Sequence, residues 1–169
     1  MKSMLFLLAL FVINKEITIF DFSEHSNFKK GTWYQTNDDV MGGISTSKMD
    51  LDEDGNGVFS GVVSTANNGG FAMTRLPTNI EIPKSYTKLV VYLQGDGKKY
   101  QCRLKSKKYQ RFWYVKSFQT SGTTEKIEIP LKDFYPSFRG YQLDMENFHE
   151  DVLREIAFLI GNKKTNRLL

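Results

Sequence analysis

A single cysteine, Cys102, and only two histidines, His25 and His149, occur in a chain of 169 residues. One thiol excludes an intramolecular disulfide framework, and two imidazoles are too few for most histidine-built metal or acid–base centres. There is no G-x-S-x-G, H-E-x-x-H or C-x-x-C pattern, so the common hydrolase, metalloprotease and dithiol templates find no match. Apolar runs are short as well. The longest, Met4 to Ile13, falls well below the about 20 residues that a membrane-spanning helix needs. Glycines 55, 57 and 61 are spaced loosely within a hairpin and open no helix, which removes a dinucleotide reading.

What remains is a globular composition, with 40% hydrophobic, 25% charged and 14% aromatic residues in 19.5 kDa. That is enough chain for one well-buried core. Thirteen Phe and eight Tyr favour strands. The net charge of +4 is local: seven of the 23 basic residues lie between Lys98 and Arg111, where no acid occurs, and the other 16 are outnumbered by 19 acids. This stretch interleaves Tyr100, Tyr109 and neighbouring aromatics with cations, a composition used on nucleic-acid backbones. A solvated sheet face whose lysines protect an edge explains it more simply.

The most unusual stretch is Trp33 to Ser45, WYQTNDDVMGGIS. Gly42 and Gly43 imply positive φ or a close approach of backbone to another element. Asn37, Asp38 and Asp39 are residues that fix turns through nearby amides. Two readings stand: a rigid loop offering carboxylates to a ligand, cation or partner, or a tightly specified corner between strands. A second loop, Ser64 to Arg75, repeats the character with Asn67, Asn68, Gly69 and Gly70 followed by Phe71. Arg75 falls on the same strand face as Phe71. It either binds a carboxylate or planar ligand or pairs internally with Asp38 or Asp39, and the internal pair is the simpler expectation.

In chain order, Lys2 and the apolar run to Ile13 read either as a signal-peptide segment or as a buried first strand or short helix. The domain proper is expected over 17–169. Ile17 to Phe22 reads as the first strand. Ile44 to Leu51 and Gly57 to Val63 form a hairpin. In its turn Asp50, Asp52, Asp54 and Gly55 fit the opening of an EF-hand loop, but the position needing a bidentate Glu is Gly61, so a polar turn is expected and no metal site.

Lys88 to Gly95, apolar on both faces, is the candidate central strand. It is expected to turn at Gly95-Asp96-Gly97 onto Tyr100 to Lys105, with Arg111 to Phe118 as a third strand. Ile127 and Ile129 mark another strand, ended by Pro130. Leu131 to Tyr141, which includes Arg139, is expected to cover one end of the core. Phe148, Val152, Leu153 and Ile156 fit a helical stripe, while Ile156, Phe158 and Ile160 alternate as a strand, so a short helix running into a last strand is expected. About nine strands without a convincing helix point to an all-β antiparallel sandwich.

The pieces NDDVMGGIS (37–45), FSGVVSTANNGGFAMTR (59–75), GDGKKYQCRL (95–104), IPLKDFYPSFRG (129–140) and REIAFLI (154–160), in this order, resemble the complex I intermediate-associated protein 30 family. The resemblance implies a galactose-binding-like jelly-roll sandwich and a non-catalytic assembly or binding module without a cofactor. Mitochondrial members help build the membrane arm of respiratory complex I. The short ends of this chain suit a small bacterial form, exported if the first segment is a signal.

Two function classes follow. The first is a protein-interaction module using the Gly-Gly loops, Asp38, Asp39 and Arg75. The second is a glycan- or small-ligand-binding module in which Trp33, Trp113 and Tyr114 supply stacking faces. Nucleic acid is not the expected partner. The candidate binding residues are Trp33, Asp38, Asp39, Met41, Gly42 and Gly43 in the first loop, Asn68, Gly69, Gly70, Phe71 and Arg75 in the second, and Arg103 and Arg139 beyond them.

Overall fold

The computed structural model describes residues 16–22, 32–39 and 42–161. Met41, His25 and the apolar segment ending at Ile13 lie outside the described residues, as does the side chain of Asn68. Eleven strands are described: β1 (Tyr34–Asn37), β2 (Thr46–Leu51), β3 (Gly57–Val62), β4 (Phe71–Glu81), β5 (Lys88–Gln94), β6 (Lys99–Lys105), β7 (Trp113–Gln119), β8 (Thr124–Pro130), β9 (Tyr135–Phe138), β10 (Tyr141–Gln142) and β11 (Val152–Gly161).

They form the expected antiparallel β-sandwich. One layer is a seven-stranded sheet in the order β1-β4-β11-β6-β7-β9-β10, and the hairpin β2-β3 and the pair β5-β8 are separate two-stranded sheets. The core row of the large sheet runs Leu76, Ile156, Leu104, Tyr114 and Pro136 across five strands. Leu89 and Ile129 of the β5-β8 pair meet it, with Met49 of β2 packed alongside. Phe134, wholly buried, closes one end.

Four expectations are corrected. Ile17 to Phe22 forms no strand; instead the Phe20 and Phe22 rings pack on Trp33, with centroids 5.6 and 5.8 Å away. The strand β5 is not central. It pairs only with β8, and its second face is turned outward, where Tyr92 is 67% exposed beside Lys126. Gly95 to Gly97 is therefore a crossover between layers and not a hairpin turn. It is held against the return crossover by the Thr120 amide and hydroxyl, which donate to the Lys98 carbonyl at 3.1 and 2.8 Å.

The helix expected at Phe148 to Ile156 is also absent, for a specific reason. Leu153 pairs with Ile80 and Ile156 with Leu76, so two residues of β11 lie opposite three of β4. This irregularity re-phases the strand and brings two residues three apart onto the core face, imitating helical spacing.

Candidate functional site

The two Gly-Gly loops do converge, but on Asp38 and without Arg75. Asp38 Oδ1 accepts the Ser45 amide at 3.1 Å, and Oδ2 accepts the Ser45 hydroxyl at 2.5 Å, the Phe71 amide at 3.2 Å and the Gly70 amide. The Ser45 hydroxyl, joined by these amides, holds the carboxyl far below the usual carboxylate range. A Cβ at Gly43 would overlap this carboxylate, and one at Gly69 would stand 2.6 Å from it, so glycine is required there for close approach. Asp38 is 6% exposed and fully engaged, which makes it a corner clamp. Asp39 is exposed and its carbonyl accepts the Gly42 amide. In the β2-β3 turn Asp52 likewise directs its carboxylate to the amides of Asp54 and Asn56.

The clamp fixes the start of β4 and, through it, the outer face of the large sheet. Residues alternating with the core row must point away from it. They form a register row of Tyr34, Arg75, Ala157, Arg103, Val115 and Tyr135 across six strands. Beside it runs a row of Thr36, Met73, Leu159, Gln101 and Ser117. The apolar members Met73, Ala157, Leu159 and Val115 are all buried, with Phe71 and Trp113 packed against this floor. Large polar side chains stand over it.

The expected pairing of Arg75 with Asp38 or Asp39 is replaced by one with Glu155. Arg75 Nε donates to Glu155 Oε1 at 2.6 Å, and Lys105 Nζ lies 3.4 Å from Oε2. Both cations also face the Trp113 ring, Lys105 Nζ at 4.3 Å and Arg75 Cζ at 5.6 Å from its centroid, a favourable cation–π arrangement.

Arg103 differs from its neighbours. Its Nε and Nη2 donate to Gln101 Oε1 at 3.0 and 2.7 Å, and among the described residues no carboxylate is within ion-pair distance of it. Burial pulls the guanidinium down to about 10, which leaves it charged at neutral pH. A partly desolvated cation without a counter-ion is costly in a folded chain and marks a place where an anion is favourable.

The other sequence candidates fall elsewhere. Trp33 is buried in the core, stacked with Phe22 and Phe158, and Tyr114 is 2% exposed, so their rings are not available to stack on a ligand. Arg139 sits at the β9-β10 turn with φ of 50° and its guanidinium against Phe138. Gly42, Gly43, Asn68, Gly69 and Gly70 belong to the clamp's loops. Sequence reasoning missed Ser45, Gln101, Lys105 and Glu155. Alternation in β6 puts Gln101, Arg103 and Lys105 on one face, but the acid that pairs with Arg75 and Lys105 comes from β11. A groove lined by Glu81, Ile82, Pro83, Asp151 and Val152 lies at the far end of β4 and β11 and carries no cation. No helix among the described residues is long and apolar enough to cross a membrane.

The complex I intermediate-associated protein 30 family model matches residues 20–168. No curated protein matches the chain significantly. Among solved structures, the chain is similar to the family 11 carbohydrate-binding module from Clostridium thermocellum in complex with a β-1,3-1,4-mixed-linked tetrasaccharide. The identity is 20%, each chain is covered to 86% and the TM-score is 0.59. It is also similar to the family 11 module of the cellulosomal cellulase Lic26A-Cel5E of the same organism, at 19% identity and TM-score 0.60, with 87% of this chain and 86% of that one covered. At this identity the likeness establishes a shared sandwich fold.

Proposed function

Because the chain belongs to the complex I intermediate-associated protein 30 family, we propose that it is a non-catalytic binding module whose ligand lies across the outer face of the seven-stranded sheet. The observation that carries this reading is Arg103, a guanidinium embedded mid-sheet without a carboxylate partner among the described residues. Near it Gln101, Ser117 and Tyr135 offer amide and hydroxyl groups, and Tyr34 and Thr36 of β1 extend the same polar face three strands away, a rigid strand scaffold that suits an oligosaccharide. A module of this fold solved with a bound tetrasaccharide supports a glycan as the ligand class. Fold alone does not transfer function, so the test must address the face itself.

Affinity electrophoresis of the full chain in gels cast with soluble polysaccharides provides that test. At least one polysaccharide is expected to retard the wild type, and Ser117→Trp, which fills the face without touching the core row, abolishes the retardation with an unchanged Tm. Equal retardation of the variant, or none for any polysaccharide, contradicts the reading.

Docking of a protein partner is a second reading, favoured by one observation. Val58 and Val62 share the outward side of the β2-β3 hairpin, 39% and 65% exposed, and Ile44, 58% exposed, precedes β2 beside the clamp. This reading expects a protein captured from native membranes by the wild type to be lost with Ile44→Glu/Val62→Glu. Unaltered capture contradicts it.

A further inference from the structure

Arginine presents two edges to a carboxylate, a side edge of Nε and Nη2 and an end edge of Nη1 and Nη2. In Arg103 the side edge is occupied by the Gln101 carbonyl oxygen. The end edge has no hydrogen-bond partner among the described residues, and no Arg103 nitrogen is among the sealed, unpartnered atoms. Nη1 on that edge therefore keeps some contact with solvent. Glu155, the acid on the adjacent strand, is already bound by Arg75 and Lys105.

Charge on this face is one-sided. Among the described residues, Arg75, Arg103 and Lys105, with exposed Lys99 further along β6, stand against the one carboxylate of Glu155. The apolar floor is closed: Met73, Val115, Ala157 and Leu159 are each at most 8% exposed. These four residues leave almost no apolar surface for the anchor side chain on which peptide recognition relies. A ligand here must be held by polar groups and must supply an anion.

We infer that the outer face recognises an acidic oligosaccharide, the carboxylate of a uronic acid unit docking end-on against Arg103 while its hydroxyls reach the Gln101, Ser117 and Tyr135 side chains. This rests on the reading of that face as a glycan surface and adds the chemical class. The planar fork prefers a carboxylate over an ester, which retains only acceptor oxygens and no charge.

Isothermal titration of the full chain with trigalacturonic acid, its methyl ester and the neutral mixed-linked β-glucan tetrasaccharide tests it. The free acid is expected to bind the wild type at least about tenfold more tightly than the ester or the neutral sugar. Arg103→Gln loses about tenfold or more for the acid only, and Arg103→Lys, which keeps the charge and the packed stem, loses most of the same amount. Should Arg103→Gln fail to fold, Arg103→Lys decides. Equal binding of acid and ester, or full affinity in Arg103→Lys, overturns the inference. If the neutral tetrasaccharide binds as well as the acid and Ser117→Trp abolishes both, the glycan face stands and the acidic preference falls. If no sugar binds while tetraglutamate does, the glycan reading and the inference fall together.

Discussion

The carboxylate of Asp38 accepts the backbone amide of Gly70, 32 residues further along the chain, and the same oxygen takes the Ser45 hydroxyl. One acid thus ties both Gly-Gly loops to the first residues of β4, from which Met73 and Arg75 enter the outer face. Asp38→Asn turns one accepting oxygen into a donor that faces either the Ser45 amide or the amides of Gly70 and Phe71. It is expected to lower Tm by roughly 5–10 °C while the fold is kept, as read by calorimetry.

The same carboxylate makes a pH prediction. Its folded pKa is depressed below the unfolded value of about 3.9 by the Ser45 hydroxyl and the surrounding amides. Its stabilisation is therefore complete above that value and is lost as pH falls below about 4 towards the folded pKa. Asp38→Asn flattens this part of the acid limb of a Tm-against-pH curve, and an unchanged limb contradicts the assignment.

Glu155 pairs with two cations, Arg75 and Lys105, and its side chain is only 12% exposed. Glu155→Gln leaves both beside a neutral amide and is expected to cost about 2 kcal/mol, reduced from the fully buried case because the Arg75 side chain is 31% exposed. Urea unfolding of the single variants and of Arg75→Gln/Glu155→Gln measures it, and the double variant should cost less than the sum.

Thr74 is wholly buried and its hydroxyl has no hydrogen-bond partner among the described residues. Thr74→Val keeps the shape and removes the unsatisfied group, so it is expected to be neutral or to stabilise by about 1 kcal/mol. A loss of more than that in urea unfolding reveals a partner for this hydroxyl.

The strand pattern was legible where apolar and polar residues alternate, as in β2 and β6. It misled where two faces are apolar for different reasons. Val90 and Tyr92 suggested a central strand, yet Tyr92 is exposed and paired with Lys126. Leu153 and Ile156 looked helical because a register shift separates them. The loops were singled out correctly as unusual, but their role as a clamp depends on Ser45 and on backbone amides, which no side-chain pattern reports. Arg103 was visible as one cation in a basic stretch. That it lacks an acid among the described residues follows only from the neighbouring strand, where Glu155 serves Arg75 and Lys105.

The most direct test of the outer face is an amide chemical-shift titration of the isotope-labelled chain with trigalacturonic acid and, separately, the mixed-linked tetrasaccharide. The account predicts shifts concentrated on the central strands around Ala157, Arg103 and Val115, with the Trp113 indole moving and the buried Trp33 indole unchanged. Shifts confined to the loops at Gly42 to Ser45 and Gly69 to Phe71, or no shifts with either sugar, would contradict it.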